Sequence, residues 1–172
     1  LHAVAVVKSG VFASIRSTFY AFGPALPAGT WAQKTSMAFA AFTILFGSCM
    51  ALREQHLKRR LAYSTVSNLS YILFGMSLLT TGGLIAGLSH MLFHGIMKIT
   101  LFFCAGTVLC KTGREYVPQT VGLGRKMPLT FLTFGIAGLA LTGTPLLPGF
   151  ISKMNLLHAA SELSTPLAMA GI

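Results

Sequence analysis

Five side chains in this sequence can hold and pass protons, and each lies within an apolar stretch: Lys8, His90, His94, Lys98 and Lys153. The run Ser89-His90-Met91-Leu92-Phe93-His94-Gly95-Ile96-Met97-Lys98 sets two histidines and a lysine at i, i+4 and i+8. On a helix of 3.6 residues per turn they share one face and cover about 12 Å of axis. Histidine takes up or releases a proton near neutral pH, and a lysine withdrawn from water can exchange one in the same range. A single file of such groups with water between them makes a proton relay. Lys153 follows Pro148-Gly149-Phe150-Ile151-Ser152 directly. It therefore falls near a new helix start, where carbonyls and water come within reach.

The same residues admit other chemistry. His-x-x-x-His is a metal-ligand spacing, but the glutamate of an HExxH site is missing and no Cys, Asp or Glu joins that face. Haem ligation needs histidines on facing helices, and His2 and His158 are the further candidates. Buried histidines can also do no more than hydrogen-bond one helix to the next. A lysine near a helix end can lay its stem along lipid and set its amine in the interface. That fits Lys8 or Lys153 but not Lys98, which sits far from both ends of its segment. The polar run Tyr63, Ser64, Thr65, Ser67, Asn68 and Ser70 either lines water or stitches helices together.

The elements that must position these groups are membrane helices. Of 172 residues 53% are hydrophobic and 9% charged, against roughly 25% charged in soluble domains. Three acids (Glu54, Glu115, Glu162) stand against 13 Lys and Arg, for a net charge of +10. This composition excludes an ordinary soluble enzyme and a disordered or nucleic-acid-binding tail. Five stretches reach the roughly 20 residues that cross a bilayer: about 1–22, 31–52, 61–81, 83–110 and 127–161. Gly143, Pro145, Pro148 and Gly149 break the last near 143–149, and 162–172 reads as the start of a further segment. Non-helical backbone at membrane depth survives only against protein or a water-filled cavity. No run alternates as the strands of a β-barrel would. Cys49, Cys104 and Cys110 form no CxxC pair and read as apolar filler. The opening Leu1-His2-Ala3 lacks both Met and a basic signal region, which reads as an internal slice of a longer protein.

Loop charges set the orientation. Loops 53–60 and 111–127 carry Arg53, Lys58, Arg59, Arg60, Lys111, Arg114, Arg125 and Lys126, whereas 23–34 and 81–83 carry Lys34 alone. The positive-inside rule puts the first pair in the cytoplasm. It also accounts for Lys58-Arg59-Arg60 without a nucleic-acid or headgroup site.

These residues resemble a known family. Leu57-Lys58-Arg59-Arg60-Leu61-Ala62-Tyr63-Ser64-Thr65-Val66-Ser67 is similar to the L-K-R-x-L-A-Y-S signature of antiporter-like membrane subunits. These are the proton-pumping subunits of respiratory complex I, their relatives in membrane-bound hydrogenases, and subunits of multi-subunit monovalent cation:proton antiporters. The similarity continues through His90, His94 and Lys98 with Leu101-Phe102-Phe103-Cys104-Ala105-Gly106, then Gly122-Leu123-Gly124-Arg125-Lys126-Met127-Pro128 and Gly149-Phe150-Ile151-Ser152-Lys153. Leu1-His2-Ala3 and Lys8-Ser9-Gly10-Val11-Phe12 fit as well, and the wording is closest to D-type antiporter subunits. The resemblance implies inverted five-helix repeats, each with a broken helix. It makes Lys8 the connecting lysine, His90, His94 and Lys98 the central hydrophilic axis, and Lys153 the lysine of the second half-channel. A glutamate and a lysine that the family uses on earlier helices have no counterpart here. The break also departs from the family's Gly-x-Pro-Pro, reading Gly143-Thr144-Pro145-Leu146 with an extra Pro148.

The expectation is therefore an all-α, polytopic transmembrane bundle with a proline-broken helix, part of one larger antiporter-like domain. It would translocate protons, or exchange a cation such as sodium for protons, through Lys8, His90, His94, Lys98 and Lys153. It would hold no catalytic centre, cofactor or metal of its own, and its partners would be other membrane subunits and lipid, not nucleic acid. A bacterial or archaeal inner membrane is the expected location. A structural scaffold without an ion path, and a metal or solute transporter using the same broken helix, are the alternatives.

Overall fold

A computed structural model describes residues 6–162. Positions 1–5, with His2, and the segment expected beyond 162 lie outside the described residues. Within them the chain is helical and contains no strand. Helix α1 (Val7–Arg16) widens into a π-helical turn over Ser17–Phe22 and stops at Gly23-Pro24, where φ of Gly23 is +72°. Next come α2 (Trp31–Arg53), α3 (Leu57–Ser77) and α4 (Thr81–Thr112). A 3-10 turn (Val117–Thr120) and the short α5 (Leu123–Lys126) lead into α6 (Pro128–Thr142) and α7 (Pro148–Ser161).

Helix α4 organises the bundle. Its 32 residues span about 48 Å, more than the roughly 30 Å of a hydrocarbon core. The Thr80 hydroxyl caps its start by accepting from the Gly83 amide at 3.0 Å. One face is buried and carries Ala86, His90, His94, Met97, Lys98 and Leu101, while Leu92, Ile96 and Phe103 point outward. Apolar-out and polar-in is the reverse of a soluble amphipathic helix, and it is what a lipid environment selects. Helix α2 repeats the pattern, exposing Phe39, Phe42 and Leu45 and burying small residues such as Ala40 and Ala41. It packs on α3, α3 packs on α4, and α4 meets both α6 and α7.

Among the described residues the buried apolar side chains form three clusters instead of one centre. Val11, Ile15, Leu69 and Ile72 join α1 to α3, and Met37, Ile44, Phe74 and Ala160 join α2, α3 and α7. Leu61, Leu101, Ala105 and Ala137 join α3, α4 and α6. The polar file of α4 runs among them. At the other end of α3 an isolated bridge pairs His56 with Tyr116. There Leu57 N donates to Glu115 O and Val117 N to Gln55 O, each at 2.9 Å, and His56 Nε2 lies 3.3 Å from Glu115 Oε2. The two arginine- and lysine-rich loops are thereby tied together.

The helices depart from the expected spans at α3, and the fifth stretch carries the break that its glycines and prolines announce. Helix α3 begins four residues before the expected Leu61, because Lys58, Arg59 and Arg60 continue the helix while keeping their charges at its end. The stretch 127–161 is two helices. Gly143 closes α6 at φ +92°, a conformation open to glycine, and Leu146 in the same linker is held at +76°. Positive φ in a leucine costs of order 1–3 kcal/mol, and the Leu146 side chain is itself exposed. At the start of α7, Gly149 lies so close to α6 that a Cβ would fall on the Ala140 carbonyl.

Candidate functional site

Lys98 is fully buried. Its ammonium donates to the Leu61 carbonyl at 2.8 Å and to the Ser64 hydroxyl, both on α3. Neither acceptor carries a charge. Such an ammonium is far more costly to hold than one paired with a carboxylate. One turn before it, His94 is also fully buried, and neither ring nitrogen has a hydrogen-bond partner among the described residues. A further turn back, His90 stacks parallel to His94 with centroids 6.1 Å apart. Its Nδ1 lies 2.9 Å from the Ser152 hydroxyl of α7, while its Nε2 has no partner among the described residues. Three unpartnered imidazole nitrogens in one file are exceptional, since buried polar atoms nearly always find a partner.

The remaining lysines approach this file from two sides. A Cβ on Gly95 would lie 2.7 Å from Lys8 Nζ, so the α1 lysine reaches α4 over a residue without a side chain, beside His94. Lys153 Nζ donates to the Leu141 and Thr142 carbonyls at 3.2 and 3.1 Å, and so caps the end of α6 across the break. The negative end of a helix dipole favours a cation there. The same ammonium lies 5.5 Å from the ring centroid of Tyr71, whose edge meets His90 at 5.9 Å. The fold thus brings His90, His94 and Lys98 into one buried file, with Lys8 against the turn that holds His94 and Lys153 joined to His90 through Tyr71. His158, the outlying histidine, is exposed and pairs with Glu162 at 3.6 Å.

A cavity of about 580 Å³ runs from Arg60 past Ser64, Asn68 and Tyr71 to Thr142 and Lys153. Asn68 donates to the Ser64 carbonyl at 2.7 Å, and its Oδ1 is buried without a partner. That oxygen and the hydroxyls around it could hold water, which needs two to four polar contacts. The sequence alone leaves Ser64 and Asn68 between two roles and singles out neither Tyr71 nor Ser152 as a site residue. Ser64, Asn68 and Tyr71 recur at i, i+4 and i+7, and that spacing is the signal that sets Tyr71 on the same face. Ser152 carries none beyond its place before Lys153.

Helices that turn apolar side chains outward and bury a file of basic groups, one helix being broken beside a lysine, define a polytopic membrane protein. Residues 1–171 match the family described as NADH:quinone oxidoreductase/Mrp antiporter, TM, and the chain belongs to that family. It is 37% identical over 160 residues to NADH-quinone oxidoreductase subunit N of Desulforudis audaxviator, covering 93% of this chain and 32% of that protein. It is 36% identical over 163 residues to a probable K(+)/H(+) antiporter protein of Rhizobium meliloti, covering 94% of this chain and 16% of the relative. A chain in the structure of an archaeal membrane-bound sulfane sulfur reductase superposes with a TM-score of 0.86 at 33% identity, covering 98% of this chain and 34% of that one. A chain of the Mrp complex from Dietzia sp. gives 0.87 at 28%, covering 94% and 29%. The chain spans about a third or less of the length of these relatives. It is an antiporter-like integral membrane subunit, of the kind found in complex I-type and Mrp-type assemblies.

Proposed function

We propose that this chain moves protons across a membrane through Lys8, His90, His94, Lys98 and Lys153, as part of one antiporter-like domain in a multi-subunit complex. The observation that carries the reading is Lys98, a fully buried lysine whose acceptors among the described residues are neutral, one and two turns from the buried imidazoles of His94 and His90. Protons enter the file from Lys8 or the cavity, pass along α4, and reach Lys153 at the break. Redox-driven change in partner subunits, or an ion gradient in antiport, supplies the energy, and sodium is the alternative coupling ion. Loops 53–60 and 111–127 face the cytoplasm of a bacterial or archaeal cell.

The test replaces Lys98 with Met in the assembled complex, reconstituted into sealed vesicles with a pH-sensitive dye and varied sodium. Lost proton movement at unchanged complex content is the expected result. Unchanged movement at equal content overturns the reading and leaves a scaffold whose polar groups hold helices together.

A further inference from the structure

We propose that Ser152 fixes the tautomer of His90, keeping a proton on Nδ1 and leaving Nε2 as the nitrogen through which this histidine exchanges protons. The first part stands on hydrogen-bond geometry alone, and the second rests on the relay proposed above.

Ser152 is fully buried, and its hydroxyl has two neighbours that can accept a hydrogen bond, with one proton to give. The Gly149 carbonyl lies 3.1 Å away on the same helix, and His90 Nδ1 lies 2.9 Å away on α4. If His90 carries its proton on Nδ1, both bonds form: Nδ1–H donates to the hydroxyl oxygen, and the hydroxyl donates to Gly149. If the proton sits on Nε2, the hydroxyl serves either Nδ1 or Gly149 and one bond is lost. The lost bond favours the Nδ1–H form, by about tenfold for one net hydrogen bond.

The arrangement cannot relax easily. Gly149 sets α7 against the Ala140 carbonyl without room for a Cβ, so Ser152 is held at a fixed height beside His90. The His90 ring is confined by His94 on one face and by Tyr71 at its edge. A proton arriving at Nε2 makes the imidazolium while Nδ1–H keeps donating to Ser152, and the same nitrogen then releases a proton onward. No proton crosses the ring from one nitrogen to the other. His90 is a station with one door, and Ser152 is a positioning residue, not a carrier.

The test is nitrogen NMR of the histidine-labelled chain in lipid bilayers, with His90→Gln to assign the signal, since protonated and bare imidazole nitrogens resonate far apart. The parent should show Nδ1 protonated and Nε2 bare. Ser152→Ala should move the tautomer ratio about tenfold toward Nε2–H, and Ser152→Thr, which keeps the hydroxyl, should restore it. An Nε2–H tautomer in the parent, or a ratio unmoved by Ser152→Ala, overturns the proposal. Its failure is separable from that of the relay. A tautomer that moves as expected beside normal transport by Lys98→Met sinks the relay alone; lost transport beside an unmoved tautomer sinks this inference alone.

Discussion

The pairing of Lys98 with Ser64 can be weighed by a double-mutant cycle. Ser64→Ala removes one of two acceptors from a buried ammonium, and a hydrogen bond to a charged group contributes about 1.5–3 kcal/mol. Lys98→Met removes the charge instead. The Leu61 carbonyl then keeps its bond from the Thr65 hydroxyl at 2.9 Å, and the Ser64 hydroxyl can still point at that carbonyl from 3.4 Å. A buried charge exchanged for an apolar side chain of similar length is often neutral or stabilising, so Lys98→Met should change stability by no more than about 1 kcal/mol in either direction. On that background Ser64→Ala has no ammonium to strand and should cost under about 0.5 kcal/mol. The cycle therefore predicts a coupling of about 1–2.5 kcal/mol. Reversible unfolding of the four variants in mixed detergent micelles, followed by helical circular dichroism, measures it. Additive effects, within the roughly 0.3–0.5 kcal/mol usual for independent sites, would refute the contact. A Lys98→Met loss of about 3–5 kcal/mol, the cost of breaking a structural buried pair, would refute the claim that the charge is structurally dispensable.

Two further outcomes follow from the same geometry. Gly149→Ala should destabilise by about 1–3 kcal/mol or more and abolish proton movement, since α7 must shift off the Ala140 carbonyl; Gly10→Ala, in open space, should stay within about 0.5 kcal/mol. Equal stability and transport in both variants would sink the steric account. Single cysteines at Arg59 and Arg125, in a background without Cys49, Cys104 and Cys110, should react with an impermeant maleimide from the cytoplasmic side, and one at Ala28 from the other; the reverse labelling would overturn the orientation.

The long-range contacts of the site were the part hidden in the sequence. The spacing of His90, His94 and Lys98 places them on one face whatever surrounds α4, because helical geometry is local. Gly143, Pro145 and Pro148 likewise announce a break through backbone chemistry alone. What each lysine touches depends on how far each helix is rotated and slid against the next, and small residues such as Gly95 and Gly149 decide that. Lys98 finds Leu61 and Ser64 on α3, and His90 finds Ser152, 62 positions away. No periodicity encodes those partners. The His56–Tyr116 bridge was hidden for the same reason, since two polar loops with opposite neighbours give no strand signal.

Lys153 has a double duty at the break. In the proposed path it carries charge, and it also closes the open end of α6 by bonding the Leu141 and Thr142 carbonyls. If the amine swings away, two carbonyls at the negative pole of a helix lose these donors and face the linker. In a dry bilayer interior that vacancy would cost several kcal/mol, so something must step in as Lys153 departs. Water from the adjoining cavity, or a small cation, fits the need. Departure of this lysine from α6 and hydration of the break would then be one event.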